Sequence, residues 1–333
     1  MPAQSLNLNL THLRFTCQAV NTVDLPAYRA GGQLRGALGN VMRRAYCPEA
    51  RFGNAKPPTP EHVAACPVCW LMAANEHPGE ERRGYALWPP VAYAAQADRA
   101  ERPFAPGERF DFGLSLYGDT LRLLPYFLLT VAEVGREGVG LGRGTFALRQ
   151  VWALDPLLGR QECVLAEGES LIHTPSLQVG AAQVQAAAAR VLAQVSRSGR
   201  LSLRFHTPMR LVADEQLVKA PDFGVLFTRL LERIDQLERQ YAGGGRRDEA
   251  ERQSLLACAN RVRLAQARTQ WVEIRSGSTR RGEPSWISGF VGQASYLAPA
   301  EVWQPLLPWL VWGQLTQVGK DVVKGNGAYT IEG

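Results

Sequence analysis

The chain has 333 residues, 46% of them apolar, which is enough to bury a substantial core and points to about two soluble globular domains. No run approaches the ~20 apolar residues that a membrane-spanning helix needs, and the opening MPAQSLNLNLTHLRF lacks a basic stretch leading into an apolar core, so a cytoplasmic protein with no membrane partner is expected. Lys plus Arg outnumber Asp plus Glu by 37 to 31 and the pI is near 9.1, so an acidic partner such as nucleic acid is favoured. Arginine dominates, with lysine only at Lys56, Lys219, Lys320 and Lys324; guanidinium groups grip phosphate at two points and stack on bases, which suits RNA.

Partial alternation in LNLNLTHLRFTCQAV, residues 6–20, predicts an opening strand. GGQLRGALGNVMRRAY follows with Leu34, Leu38, Val41, Met42 and Ala45 on one helical face and Arg35 and Arg43 on another, a basic face expected to bind RNA. From Cys47 to about Arg83 the periodicity disappears, as in an inserted loop region. ALWPPVAYAA and ERFDFGLSLYG read as strands, LRLLPYFLLTVAEVG as a helix with Pro125 near its first turn, and FALRQVWAL as a strand. The order β-α-insert-β-β-α-β is that of a ferredoxin-like unit.

The second half repeats the theme: a strand in LSLRFHTPMRLV, a helix in FGVLFTRLLERIDQLERQY and a further helical stretch through SLLACANRVRLAQ. TQWVEIRS and SWISGFVGQASYL read as strands, VWQPLLPWLVWGQLTQVG as a helix and NGAYTIE as a last strand. The expected class is therefore α+β, two ferredoxin-like (RRM-like) domains in tandem: residues 1–190 with an insert at about 47–85, and residues 191–333 with a glycine-rich loop, the boundary falling in the Ala/Gln/Arg-rich segment near 180–200.

GVGLGRGTF places Gly140, Gly142 and Gly144 around Arg143, a run in which backbone amides can approach a phosphate closely; a tight helix-to-strand connection needs the same residues. The C-terminal VGKDVVKGNGAYTI is similar in kind, with Lys320 and Lys324 flanking Gly325 and Gly327, and Tyr329 placed to stack on a base. It is not a Walker loop, because Lys320 is followed by Asp321. IRSGSTRRGEP sets Arg275, Arg280 and Arg281 between two strands, a basic hairpin tip able to brace an RNA stem.

The ordered set LRGALG, CPVC, GVGLGRGTF, FHTPMRL, SGFVGQASY and PLLPWLVWGQLTQVGK…GNGAYTI resembles the Cas-six CRISPR endoribonucleases, the C-terminal-domain family of the RAMP superfamily, over nearly the whole chain. The resemblance implies processing of precursor CRISPR RNA into guide RNAs by attack of the RNA 2′-hydroxyl on the adjacent phosphorus, leaving a cyclic phosphate and needing no cofactor for catalysis. CRISPR repeat RNA and other Cas effector or adaptation subunits are the partners it implies. Many relatives carry a histidine on or just after the first helix and another two residues before the C-terminal GK; here the helix has none and Gln317 occupies the second place. The candidates left are His62 or His77, folding back from the insert, or a site without a true general base in which Tyr28, Arg29 and Arg35 orient the 2′-hydroxyl and neutralise the phosphorane. The rival function is a non-catalytic RAMP subunit that holds guide RNA.

Cys66-Pro-Val-Cys69 has the spacing of a zinc knuckle and Cys47 offers a third thiolate, which makes a structural zinc the candidate cofactor. His62 or His77 would complete that site, and one imidazole does not readily serve as both ligand and base.

Overall fold

The structure, a computed structural model, describes residues 6–51, 59–73, 82–93, 102–276 and 285–332. The first half runs β1 (Leu10–Ala19), α1 (Ala30–Tyr46), the short helices α2 (Pro48–Arg51), α3 (Pro60–Ala65) and α4 (Pro67–Ala73), then β2 (Tyr85–Trp88), β3 (Arg109–Tyr117), α5 (Leu124–Glu137), β4 (Phe146–Asp155) and β5 (Arg160–Leu165). The second half runs α6 (Ala181–Ser198), β6 (Arg200–Met209), β7 (Leu211–Ala213), β8 (Gln216–Val218), α7 (Phe223–Tyr241), α8 (Glu249–Ala259), β9 (Arg263–Val272), β10 (Arg275–Ser276), β11 (Ser285–Trp286), β12 (Gly289–Leu297), α9 (Ala300–Thr316) and β13 (Tyr329–Glu332).

Two antiparallel sheets, ordered β2-β3-β1-β4-β5 and β13-β6-β12-β9, carry the ferredoxin-like arrangement twice, with β5 an added edge strand in the first. The alternation of β1 sends Leu13, Phe15, Cys17 and Ala19 to the core beneath α1 and α5, and leaves Arg14, Thr16 and Gln18 on the opposite face. The strand expected through ALWPPVAYAA stops at Trp88, because Pro89 and Pro90 offer no ladder N–H; a 3₁₀ turn, Pro90–Ala92, follows. The Ala/Gln/Arg-rich segment is itself a helix, α6, which spans the expected division at residue 190 and packs Val184, Ala187, Ala188 and Val195 into the second core.

α9 is apolar nearly all round and buried nearly all round. Pro305 and Pro308 inside it remove backbone hydrogen bonds at about 3 kcal/mol each. Burial of Trp303, Leu306, Leu307, Leu310 and Val311, roughly 1.5–3 kcal/mol each, outweighs that cost.

The end of α9 joins the two halves. Its last carbonyls lack intrahelical partners and take them from side chains around them. Ser115 Oγ donates to the Leu315 carbonyl at 3.1 Å and Tyr117 Oη to the Thr316 carbonyl at 3.2 Å, while buried Arg233 Nε donates to Thr316 at 2.8 Å. Gln317 Nε2 donates to the Leu87 carbonyl at 2.7 Å, and Glu238 accepts from the amides of Asn7 and Leu8.

Candidate functional site

The loop after β1 turns into α1 where the Pro26 carbonyl accepts from the amides of Arg29 and Ala30. Arg29 is the N-cap residue without a side-chain cap, and no acidic residue occupies the first turn, so the positive end of this helix carries a further cation. Arg29 is exposed and Tyr28 half-buried. Arg35 lies half-buried one and a half turns on; its Nε is buried without a hydrogen-bond partner among the described residues, and its charge adds to the burial that lowers the pKa of Arg83. Arg43 sits in the last turn, about 21 Å along the axis from Arg29, so the two belong to opposite ends of the basic face.

The C-terminal glycine loop closes onto the same helix end. A Cβ on Gly31 would lie 1.9 Å from the Lys324 carbonyl oxygen, so only glycine permits the contact. Lys324 Nζ is held by Asp321 at 3.0 Å, and Lys320 is exposed. The amides expected to cradle phosphate are used within the fold: Gly325 donates to Val322 and Gly327 to Pro208. These glycines shape the loop, with Gly325 against Pro89 and Gly327 against Val318. Tyr329 does not face a base: the register of β13 on β6 turns its ring into the core, where its hydroxyl donates to the Leu310 carbonyl at 2.7 Å.

The Gly138–Phe146 run also packs against the protein's own backbone. Cβ atoms on Gly140 and Gly144 would strike the carbonyls of Asp24 and Thr22 at 2.1 and 2.3 Å, so the run buttresses the segment that leads to Tyr28. Gly142 is open, and exposed Arg143 donates from Nε and Nη2 to the Glu137 carbonyl, capping α5. Arg275 is exposed and pairs across its ladder with Trp286, which is 54% exposed. The sequence expectations did not include Trp286; its place opposite Arg275 was the available signal. Arg280, Arg281 and His77 lie outside the described residues.

The cysteines converge with one histidine. Ligand atoms of Cys47, His62, Cys66 and Cys69 all lie within 4.8 Å of one another. Cys47 follows the last turn of α1, Thr59 caps α3 by accepting from the His62 amide, Cys66 ends α3 and Cys69 lies in α4. Cys47 Sγ is 3.6 Å from Cys69 Sγ and 3.4 Å from His62 Nε2, while His62 Nδ1 faces Glu49 Oε1 at 3.0 Å. Burial and the neighbouring thiols raise the Cys69 thiol well above its ordinary pKa. His62, expected as either base or ligand, is thus held among three sulfurs.

The family model AF_1859_N, described as an N-terminal domain, matches residues 8–177, half of the chain, and that of the CRISPR-associated endoribonuclease Cas6 matches residues 203–329. The chain belongs to the Cas6 family. A Thermus thermophilus Cas6 is 13% identical over 99% of this chain and 100% of its own, with a TM-score of 0.53. A Cas6 product complex is 15% identical over 98% and 100%, with a TM-score of 0.54. A chain of a partial Cas6-RT-Cas1–Cas2 complex is 11% identical with a TM-score of 0.57; it covers all of this chain, which spans 47% of that longer one. At these identities the likeness shows the shared fold. None of the curated proteins matches by sequence.

No described histidine lies at the N-terminal end of α1. His12 is buried, with Nδ1 3.1 Å from Ser115 Oγ and Nε2 3.5 Å from Tyr93 Oη, and burial followed by the nearby Arg14 lowers its pKa to about 4. His206 meets Thr330 Oγ1 at 2.8 Å on the outward face of β6, where burial and then Arg204 lower its pKa. His173 is exposed in the segment after β5. No helix among the described residues is long and apolar enough to cross a membrane.

Proposed function

We propose that this chain cleaves CRISPR repeat RNA in the cytoplasm, releasing guide RNAs from their precursor, without a catalytic metal. The observation that carries this is the seating of the Lys324 carbonyl on Gly31, which brings a lysine-bearing loop of the second domain to the helix end that holds Tyr28, Arg29 and Arg35. The RNA 2′-oxygen attacks the adjacent phosphorus, the bond from phosphorus to the 5′-oxygen breaks, and a 2′,3′-cyclic phosphate and a 5′-hydroxyl result. In this reading Tyr28 orients the 2′-hydroxyl. Arg29, Arg35 and Lys324 offset the charge on the phosphorane. The 2′-proton leaves to solvent and the departing oxygen takes one from it; arginine, with a pKa above ~12, is a poor shuttle, so turnover is slow. Half-buried Arg43 and exposed Arg143, Arg275 and Lys320 extend the basic surface for the repeat.

Among the described residues the one group of three or more His, Cys, Asp and Glu side chains able to hold a metal is the cysteine centre. Its sulfur-rich donors suit a structural zinc, not the hard cations of phosphoryl transfer. The Cas6 product complex and the Cas6-RT-Cas1–Cas2 assembly support repeat RNA and further Cas subunits as partners.

Repeat RNA incubated with the protein in EDTA is expected to be cut once per repeat, leaving cyclic phosphate ends, and Arg35→Ala should slow single-turnover cleavage by about 10²–10³-fold. The absence of a described histidine at α1 favours a second reading, a non-catalytic subunit that retains guide RNA. Tight binding with no cleavage from pH 6 to 9 would establish that reading and remove the first.

A further inference from the structure

We propose that Cys47, His62, Cys66 and Cys69 bind one zinc ion, and that this centre braces the two domains against each other through Trp70. The proposal rests on the structural-zinc reading of the cysteines and extends it to a fourth ligand, an orienting carboxylate and a mechanical role.

Tetrahedral zinc with bonds of about 2.3 Å to sulfur and 2.05 Å to nitrogen sets sulfurs about 3.8 Å apart and sulfur about 3.6 Å from nitrogen. The observed 3.6 Å between Cys47 and Cys69 and 3.4 Å between Cys47 and His62 Nε2 are each within about 0.2 Å of those spacings, and all four ligand atoms lie within 4.8 Å of one another. A disulfide, at about 2.05 Å, does not fit them. Glu49 fixes the remaining choice: with Nδ1 directed at its carboxylate, His62 presents Nε2 to the sulfurs, the arrangement in which an outer carboxylate sets the tautomer and orientation of a ligating imidazole.

The insert needs such a crosslink. α3 has six residues and buries none of them, and helices this short are unstable by themselves. α4 does better on one side only. Val68, Leu71 and Met72 are buried in the first core, and Tyr85 Oη meets Met72 Sδ at 3.6 Å. Trp70 lies at the edge of the first core, with the first-domain Arg122 guanidinium 5.2 Å from its centroid, and also reaches the second domain, where its ring meets that of Tyr241, at the end of α7, edge-on at 5.9 Å.

Tyr241 in turn donates from its hydroxyl to the Arg82 carbonyl at 2.6 Å, where the chain returns from the insert. The ligand Cys69 and the bridging Trp70 are neighbours in the chain. A bond from zinc to Cys69 therefore fixes the residue that touches the second domain.

Metal analysis of the full-length protein should find one zinc per chain, and less than about a tenth of that in Cys66→Ser or Cys69→Ser. Removing the metal with a chelator should raise hydrogen exchange at residues 238–242 by about three- to tenfold, the range an edge-to-face aromatic pair contributes. Trp70→Ala should keep its zinc and show the same rise. Equal, negligible zinc in the wild type and the cysteine variants would remove the metal centre altogether. One zinc per chain, with exchange at 238–242 unchanged by the chelator and by Trp70→Ala, would overturn the brace and leave the zinc reading standing.

Discussion

The end of α9 rests on a titratable group, and its protonation should weaken the protein measurably. Ser115 Oγ gives its one proton to the Leu315 carbonyl and accepts from Trp88 Nε1 at 2.9 Å, so the hydrogen bond with His12 must come from a proton on Nδ1 of the neutral ring. Nε2 then accepts from Tyr93 Oη. Burial, aided by the Arg14 charge, lowers the folded pKa to about 4 against an ordinary 6.5. The unfolded chain thus binds more protons between those values, so the stability held by neutral His12 is complete above pH 6.5 and is lost as pH falls towards 4. Between pH 7 and pH 5 the loss amounts to about 1.8 kcal/mol. Urea unfolding of the wild type and of His12→Asn at both pH values isolates it, because His206, lowered in the same direction, is present in each and cancels in the difference. His12→Asn is expected to be weaker at pH 7 but to lose about 1.8 kcal/mol less on acidification. Equal losses in the two proteins would refute the assignment of the titration to this seat.

Adjacent glycines of α1 should respond with opposite signs to alanine. Gly31→Ala drives a Cβ to 1.9 Å from a backbone carbonyl that no rotamer relieves; it should cost about 1–3 kcal/mol in thermal or urea unfolding and dislodge Lys324, slowing RNA cleavage further than the stability loss explains. Gly32→Ala meets nothing within 4 Å and should stabilise the helix by about 0.5–1 kcal/mol with cleavage unchanged. Arg233→Ala deprives the Thr316 carbonyl and Tyr117 Oη of a buried donor and leaves a cavity, at about 2–4 kcal/mol in urea midpoint analysis. Arg233→Lys should recover little of this, since one ammonium cannot reproduce the fork that spans both groups.

Much of the architecture was legible because local periodicity and tertiary packing agree. The apolar stripe of α1 and the alternation of β1 bury the residues their periods assign, and the order of elements carries the ferredoxin-like topology twice. α6 escaped notice because its buried face consists largely of alanine and valine in a stretch otherwise rich in glutamine and arginine, a stripe too weakly apolar to stand out. Tyr329 was misread for another reason. In a four-residue strand, which face a side chain takes depends on the register with β6, and a one-residue slip inverts it. His62 and His77 could not be separated as partners of the cysteines until the cap at Thr59 set the phase of α3 and turned His62 towards Cys47.

The glycines carry the deeper lesson for the site. A glycine-rich run shows that some group approaches the backbone too closely for a side chain, but it does not show which group. At Gly31, Gly140, Gly144 and Gly327 the approaching atom is a carbonyl oxygen of this chain, and the amide of Gly325 is bonded within its own turn. Among these positions the amides of Gly144, Gly325 and Gly327 are bonded within the protein and are not free to cradle a phosphate. What they supply to RNA is indirect: they hold Lys324 against α1 and buttress the loop before Tyr28, so that a substitution at Gly31 acts on chemistry through the cations it displaces. Arg35, half-buried with an Nε that no described residue satisfies, keeps donor capacity that the fold does not use, and it is therefore where a loss of cleavage with binding retained would speak most directly for catalysis.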